Sequence, residues 1–282
     1  MRIQRNIPAR WLTLFILSSS TAISNTAATI ELLARSRSAG GQFIEKAAHL
    51  DTKSTAIVVI DMWDRHWCST YTKRTGALVP RMNSTLAAAR AAGIQVVFAP
   101  SGVLEFYKEF PQRKAVAELP HHPLPARREF NPPALPWTNS GGCECGPARP
   151  CQSRSAWTRQ HPDLKIEMTD LIGNCDNVQE LHNLCQNRKI KTLIYAGVAS
   201  NMCVCHRGFG MLNMMRLGYE CLLVRDLVEA ISGNGFDPDK NALDPALTPE
   251  RGSEIVLHHI ERHIASSISS AQLIEAMPRI SR

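Results

Sequence analysis

The stretch Lys191–Glu229, KTLIYAGVASNMCVCHRGFGMLNMMRLGYECLLVRDLVE, decides how this chain is read. Ile194–Ala196 is a short apolar run of the kind that forms a buried strand, and Gly197 ends it. Ser200 or Asn201 can cap a helix that follows, with Met202, Met211, Leu212, Met215 and Leu217 at roughly helical spacing. Gly218 closes that helix and Glu220–Val224 begins a new strand. The unit puts Cys203 in the first helical turn, at the carboxyl end of a buried strand, where unpaired N–H groups and the helix field favour a thiolate. Cysteine is also among the commonest buried residues, so packing alone is the competing reading.

Working outward, Thr55–Ile60 (TAIVVI) is a continuous β-branched run suited to the interior of a parallel sheet. It ends in Asp61, followed by Met62-Trp63-Asp64-Arg65-His66-Trp67-Cys68. An acid at the carboxyl end of a central strand stands where open α/β sheets bind ligands, although a cap or turn would also use Asp. Leu78–Gly93 predicts an Ala-rich helix, Ile94–Ala99 a second core strand, and Val178–Asn187 another helix. Leu164–Glu167 predicts a short strand, Ser253–His258 a last strand, Ser270–Met277 a closing helix, and residues 29–53 a helical or irregular arm. Strands alternating with crossover helices predict an α/β fold, a three-layer α/β/α sandwich on a mostly parallel doubly wound sheet, occupying residues 29–282.

The 282 residues carry a formal charge of +7, but the arginines are dispersed and no nucleic-acid module is visible, so no nucleic-acid partner is expected. Residues 1–28 read as a signal peptide: Arg2, Arg5 and Arg10, then the apolar Trp11–Leu17, then small residues to Ala28. An uncleaved anchor and a mitochondrial presequence are the competing readings; export to a periplasmic or extracellular location is preferred. No integral membrane domain is expected, and homo-oligomerisation is left open. The nine cysteines, at 68, 143, 145, 151, 175, 185, 203, 205 and 221, leave at least one unpaired within the chain. Residues 137–162 form a Cys/Pro-rich insert expected to cover the carboxyl edge of the sheet and restrict access to Cys203. Its Cys143-x-Cys145-x5-Cys151 run is a weak zinc pattern, and in an exported chain disulfides are the preferred reading.

With Asp61 and Cys203 side by side, the chain resembles the isochorismatase-like cysteine hydrolases, the group that includes nicotinamidases and N-carbamoyl amide hydrolases. The matching runs are VIDMWD (Val59–Asp64), YAGVASNMCV (Tyr195–Val204) and LLVRDLVEA (Leu222–Ala230). The resemblance implies an Asp–Lys–Cys triad of Asp61, Lys165 and Cys203, with a cis peptide at Val198–Ala199 and an oxyanion hole of N–H groups around Cys203. A shorter-loop register would put Asp170 in place of Lys165, which otherwise reads as a solvated lysine. Trp63, Trp67, Phe106 and Tyr107 would wall a pocket for a small-molecule substrate, with Val198, Ala199 and His206 beside it; Arg207 and Phe209 would line its entrance. Nicotinamidases carry Asp-x-His after the second strand where this chain has Pro100-Ser101-Gly102, so no nicotinamidase-like zinc and no cofactor are expected at the site, while His66, Cys68 and the cysteine-rich insert could make another metal site. The implied activity is hydrolysis of a C–N bond in a small amide or carbamoyl substrate. The alternatives are vinyl-ether hydrolysis of the isochorismatase type and a catalytically degenerate binding protein.

Overall fold

In the computed structural model, residues 29–137, 142–145, 151, 157–233, 236–237, 242–243 and 247–277 are described. The expected signal peptide and part of the 137–162 insert lie outside these residues.

The chain enters as a hairpin, β1 (Thr29–Arg37) and β2 (Phe43–Asp51), paired antiparallel from Thr29↔Asp51 to Arg37↔Phe43. This corrects the helical or irregular arm expected for residues 29–53. The alternation that marks a half-buried strand is present, since Ile30, Leu32 and Ala34 turn inward, but outward-facing Leu33 masks it in the sequence. β3 (Thr55–Ile60) follows, buried along its whole length, then α1 (Ser69–Ala77), α2 (Val79–Ala91) and β4 (Gln95–Ala99). After α3 (Pro111–Ala117) the described residues form no further helix or strand before the edge strand β5 (Leu171–Ile172) and then α4 (Val178–Arg188). The short strand expected at Leu164–Glu167 is therefore displaced to β5, where Leu171 and Ile172 can pair with Val97 and Phe98.

The Lys191–Glu229 stretch comprises β6 (Thr192–Val198), α5 (Cys203–His206), α6 (Met211–Arg216) and β7 (Glu220–Glu229). Its expected single helix is broken in two. Gly208 lies at the break, pressed so closely on the backbone of Asp176 that an added Cβ would stand 2.5 Å from its carbonyl. A two-residue ladder, β8 (Phe236–Asp237) with β9 (Ala242–Leu243), precedes α7 (Pro249–His263), β10 (Ser267–Ile268) and α8 (Ser270–Ala276). The strand expected at Ser253–His258 is instead the middle of α7. Thr248 caps that helix through its side chain and Pro249 opens it, while Ile255, Val256 and Ile260 share its inward stripe. A six-residue window was too short to separate that stripe from a strand.

The main sheet has the order β2-β1-β10-β7-β6-β3-β4-β5. It is parallel from β10 to β5, with the β1–β2 hairpin antiparallel at the other edge. Helices flank it as two groups, α1, α2 and α8 in one and α3, α4 and α6 in the other. The fold expected from the sequence is thus the fold observed. None of the described helices is long and apolar enough to cross a membrane. For function the decisive pairing is β3 with β6, the fully buried neighbours whose register ends at Ile60↔Gly197. Gly197 has φ +107°, and a Cβ there would lie 2.0 Å from the Ile60 carbonyl oxygen. Only glycine permits that approach. It brings the residues after both strands, Asp61 and the 198–203 turn, to one carboxyl edge.

Candidate active site

Asp61 leaves β3 in a left-handed conformation (φ 45°), which non-glycine residues rarely adopt. Its carboxylate is fully buried and held from one side by Ser101, at the end of β4. The Ser101 N–H donates to Oδ1 at 2.6 Å, and its hydroxyl lies 2.8 and 2.7 Å from Oδ1 and Oδ2. Burial pushes the Asp61 carboxyl up from 3.8 to about 6; the Ser101 bonds, the neighbouring Cys203 and the Arg207 charge work against that rise without cancelling it.

Cys203 begins α5 after the cis Val198–Ala199 peptide, where Ala199 accepts the N–H groups of Met202 and Val204. No acceptor among the described residues takes the Cys203 N–H. The thiol is buried, feels both Asp61 and Arg207, and is pushed up to about 12. Burial is the largest cause, the negative Asp61 the next, and Arg207 offsets part of both. This corrects the expectation of a resting thiolate. A four-residue helix contributes too little field to overcome desolvation beside a carboxylate, so the proton rests on sulfur while Asp61 is ionised at neutral pH.

Among the described residues, the cation brought to Asp61 and Cys203 is Arg207; no recorded contact brings Lys165 there. Arg207 Nε stands 4.0 Å from Asp61 Oδ2, and Nη1 is fixed by Asp176 at 2.9 Å. Burial alone lowers its affinity for a proton, but the surrounding anions, with Cys203 and Asp61 among them, raise it on balance. Lys165 is exposed, and its recorded bonds are backbone bonds to Asn83 and Arg90. Asp170, the other register's choice, is buried but paired with Arg90 at 2.7 Å. Family spacing alone misassigned the position because the irregular run before β5 carries residue 165 to the surface. Arg207 was considered only for the entrance, although it lies four residues beyond Cys203. Ser101 was read only for lacking a metal-ligand pattern, yet the β3–β4 pairing puts it next to Asp61.

The remaining expected site residues divide. Val198 and Ala199 are buried directly ahead of the turn that carries Cys203. Trp63 is buried, donates Nε1–H to the Ser101 carbonyl at 3.2 Å, and stacks on Trp157 of the insert at 3.8 Å between centroids. Trp67 is half-buried against the His66 ring. The Tyr107 hydroxyl accepts the Gln160 N–H at 2.8 Å, so it anchors the end of the insert. Phe106 is exposed. His206 is exposed, with no recorded bond to Cys203 or Asp61, so its expected place beside the substrate is not supported. Cys205 is buried on another side, as expected.

The insert reaches this edge where it is described. Trp157 covers Trp63, and Asp64 accepts the Thr158 N–H and hydroxyl at 2.9 and 2.6 Å. Replacing Arg207 with Gln is expected to move the acid limb of turnover to higher pH and to lower kcat/KM by about 10- to 100-fold, with Lys recovering part of the loss. Equal pH profiles for the wild type and both variants would remove Arg207 from the constellation.

An isochorismatase domain family model matches residues 174–243. Among solved structures, a cysteine hydrolase from Pseudomonas syringae pv. phaseolicola 1448A is similar, with 16% identity and TM-score 0.51 over 81% of this chain and 94% of that one. An isochorismatase-like hydrolase from Alkaliphilus metalliredigens has 14% identity and TM-score 0.47 over 80% and 99%. N-carbamoylsarcosine amidase from Thermoplasma acidophilum has 13% identity and TM-score 0.43 over 77% and 96%. No curated protein matches the sequence. The fold is that of isochorismatase-family hydrolases, as the sequence motifs implied.

Proposed function

We propose that the protein hydrolyses a C–N bond of a small amide or carbamoyl substrate, with Cys203 as nucleophile and Asp61 as base. The observation that carries this reading is a buried carboxylate and a buried thiol at one carboxyl edge, each acting on the other's proton affinity, with the Arg207 guanidinium 4.0 Å from the carboxylate. Sulfur attacks the carbonyl carbon while Asp61 takes the thiol proton, so charge passes from carboxylate to the developing oxyanion. The Cys203 N–H, which bonds no acceptor among the described residues, is available to that oxyanion. Collapse expels the amine, which receives its proton from Asp61 and leaves a thioester. Water then attacks the thioester, again losing its proton to Asp61, and the acid departs with the thiol restored.

Because the proton starts on sulfur, activity requires ionised Asp61. On a panel of small primary amides and carbamoyl compounds, kcat/KM is expected to rise through pH about 6 and then level, and rapid-quench intact mass is expected to give an acyl adduct on Cys203. A raised Asp61 also favours a second reading, in which the protonated carboxyl acts as the acid on a vinyl ether. Turnover that falls as pH rises through 6, with no adduct on Cys203, selects that reading. No turnover of either class, with Cys203 inert to iodoacetamide from pH 5 to 9, leaves a binding protein of the same fold.

A further inference from the structure

Four cysteines outside the candidate active site converge on the amino end of α1. Cys68 caps that helix at the end of the loop that carries Asp61, and Cys143, Cys145 and Cys151 come from the insert. The Cys68 sulfur lies 3.7 Å from Cys145 and 3.8 Å from Cys143, and Cys145 lies 3.4 Å from Cys151. A disulfide needs about 2.05 Å. No two cysteines among the described residues are bonded. Sulfurs at about 2.3 Å from a common tetrahedral centre are instead about 3.8 Å apart, which the two Cys68 distances match, while Cys151 stands close to Cys145 but outside the tight group of the other three. Cys68, Cys143 and Cys145 by themselves have their sulfurs within 4.8 Å of one another.

The groups around the sulfurs point the same way. The Glu144 N–H donates to Cys68 Sγ at 3.2 Å, Cys151 N–H to Cys143 Sγ at 3.2 Å, and Ser69 N–H to Cys151 Sγ at 3.4 Å. The Ser69 and Thr70 hydroxyls both lie 3.2 Å from Cys145 Sγ. Amide donors aimed at sulfur are the outer shell that holds metal-bound thiolates. The one carboxylate within the motif, Glu144, is turned away, binding Arg74 at 2.6 Å and accepting the Ser232 N–H at 3.2 Å. All the donors are therefore sulfur, which disfavours magnesium or calcium, and the four sulfurs would fill a tetrahedron and leave no open position for chemistry.

We propose that Cys68, Cys143, Cys145 and Cys151 bind one structural zinc ion that clamps the insert onto the loop ahead of α1. This replaces the disulfides expected for the insert and takes up the other metal site that the sequence left open. Binding exchanges the four thiol protons, released to solvent, for four Zn–S bonds, with no change of oxidation state. The clamp is independent of the nucleophile and would hold the Trp157–Trp63 stack against Asp61's neighbours whether or not the protein hydrolyses amides.

The test is elemental analysis and native mass spectrometry of full-length protein purified without chelator, with cobalt(II) exchanged into the same protein. The expected result is one zinc per chain, a cobalt spectrum with the thiolate charge-transfer and visible bands of tetrahedral sulfur coordination, and loss of both in Cys143→Ser/Cys145→Ser. Cys185→Ser, a buried cysteine elsewhere, is expected to keep the metal. If the double variant does not fold, the native mass and cobalt spectrum of the wild type still decide. Metal-free protein whose peptide map joins these cysteines in disulfides overturns the proposal, as does a cobalt spectrum without sulfur bands. Stoichiometric iron or copper in place of zinc overturns the choice of metal.

Discussion

Asp61→Asn is expected to lower turnover by about 10³-fold or more and, in the same protein, to raise stability above pH 6. The two effects share one cause. A carboxyl raised from 3.8 to about 6 holds its proton more tightly folded than unfolded. The sign follows: this group's contribution is most favourable below pH about 4 and is lost as pH rises through 6. At about 1.4 kcal/mol per unit, the wild type gives up roughly 3 kcal/mol across that window. Asparagine keeps the shape, can still accept the Ser101 N–H, and carries no charge to desolvate. Urea unfolding at pH 5 and pH 7.5 measures the gain, with Asp61→Ala as a control that leaves a cavity. If Asn is less stable than wild type at pH 7.5, the burial cost is misjudged. If its turnover is unchanged, Asp61 is not the base.

The sequence made this pair legible because both residues follow uninterrupted apolar strands, and buried parallel strands deliver whatever follows them to the same edge. TAIVVI and LIYAGV could hardly be read otherwise. The third charge was not legible in that way. Lys165 depended on a spacing across irregular chain, where one residue more or less changes which side chain faces inward, whereas Arg207 directly follows the short helix that carries Cys203. The strand expected at Ser253–His258 failed for a different reason: β-branched residues on one stripe of a helix look like a strand until the cap at Thr248 and the full stripe to Ile260 are counted. The cysteine cluster was half legible. Cys143, Cys145 and Cys151 announced a knot, but the partner that changes its chemistry, Cys68, lies some 75 residues earlier and is supplied by tertiary structure.

Arg74→Met is expected to destabilise the protein by about 3–5 kcal/mol, the usual result of removing one partner from a buried ionic cluster. Arg74, on α1, bonds Glu144 at 2.6 Å, pairs closely with Glu229 at the end of β7, and donates to Ser253 Oγ at 2.9 Å and to the Pro249 carbonyl at 3.1 Å. The Glu144 side chain has no exposure at all. Burial already raises both glutamates, and Arg74 is the largest influence holding them down. Without it their folded-state affinity for protons rises further, so the deficit is expected to be larger at pH 8 than at pH 5, where protonation relieves it. Adding Glu144→Gln and Glu229→Gln to Arg74→Met is expected to recover much of the loss, because no buried charge is then left unpaired. Denaturant melts of the single and triple variants at both pH values measure this, and a deficit independent of pH would assign the effect to packing alone. The consequence extends to the candidate active site. The Glu229 carbonyl accepts the Ser200 N–H at 2.8 Å and the Tyr71 hydroxyl at 3.1 Å, tying the end of β7 to the turn ahead of Cys203. A loosened Glu229 therefore reaches the nucleophile turn through one peptide group, and Arg74→Met is expected to lower kcat even at temperatures where the variant remains folded.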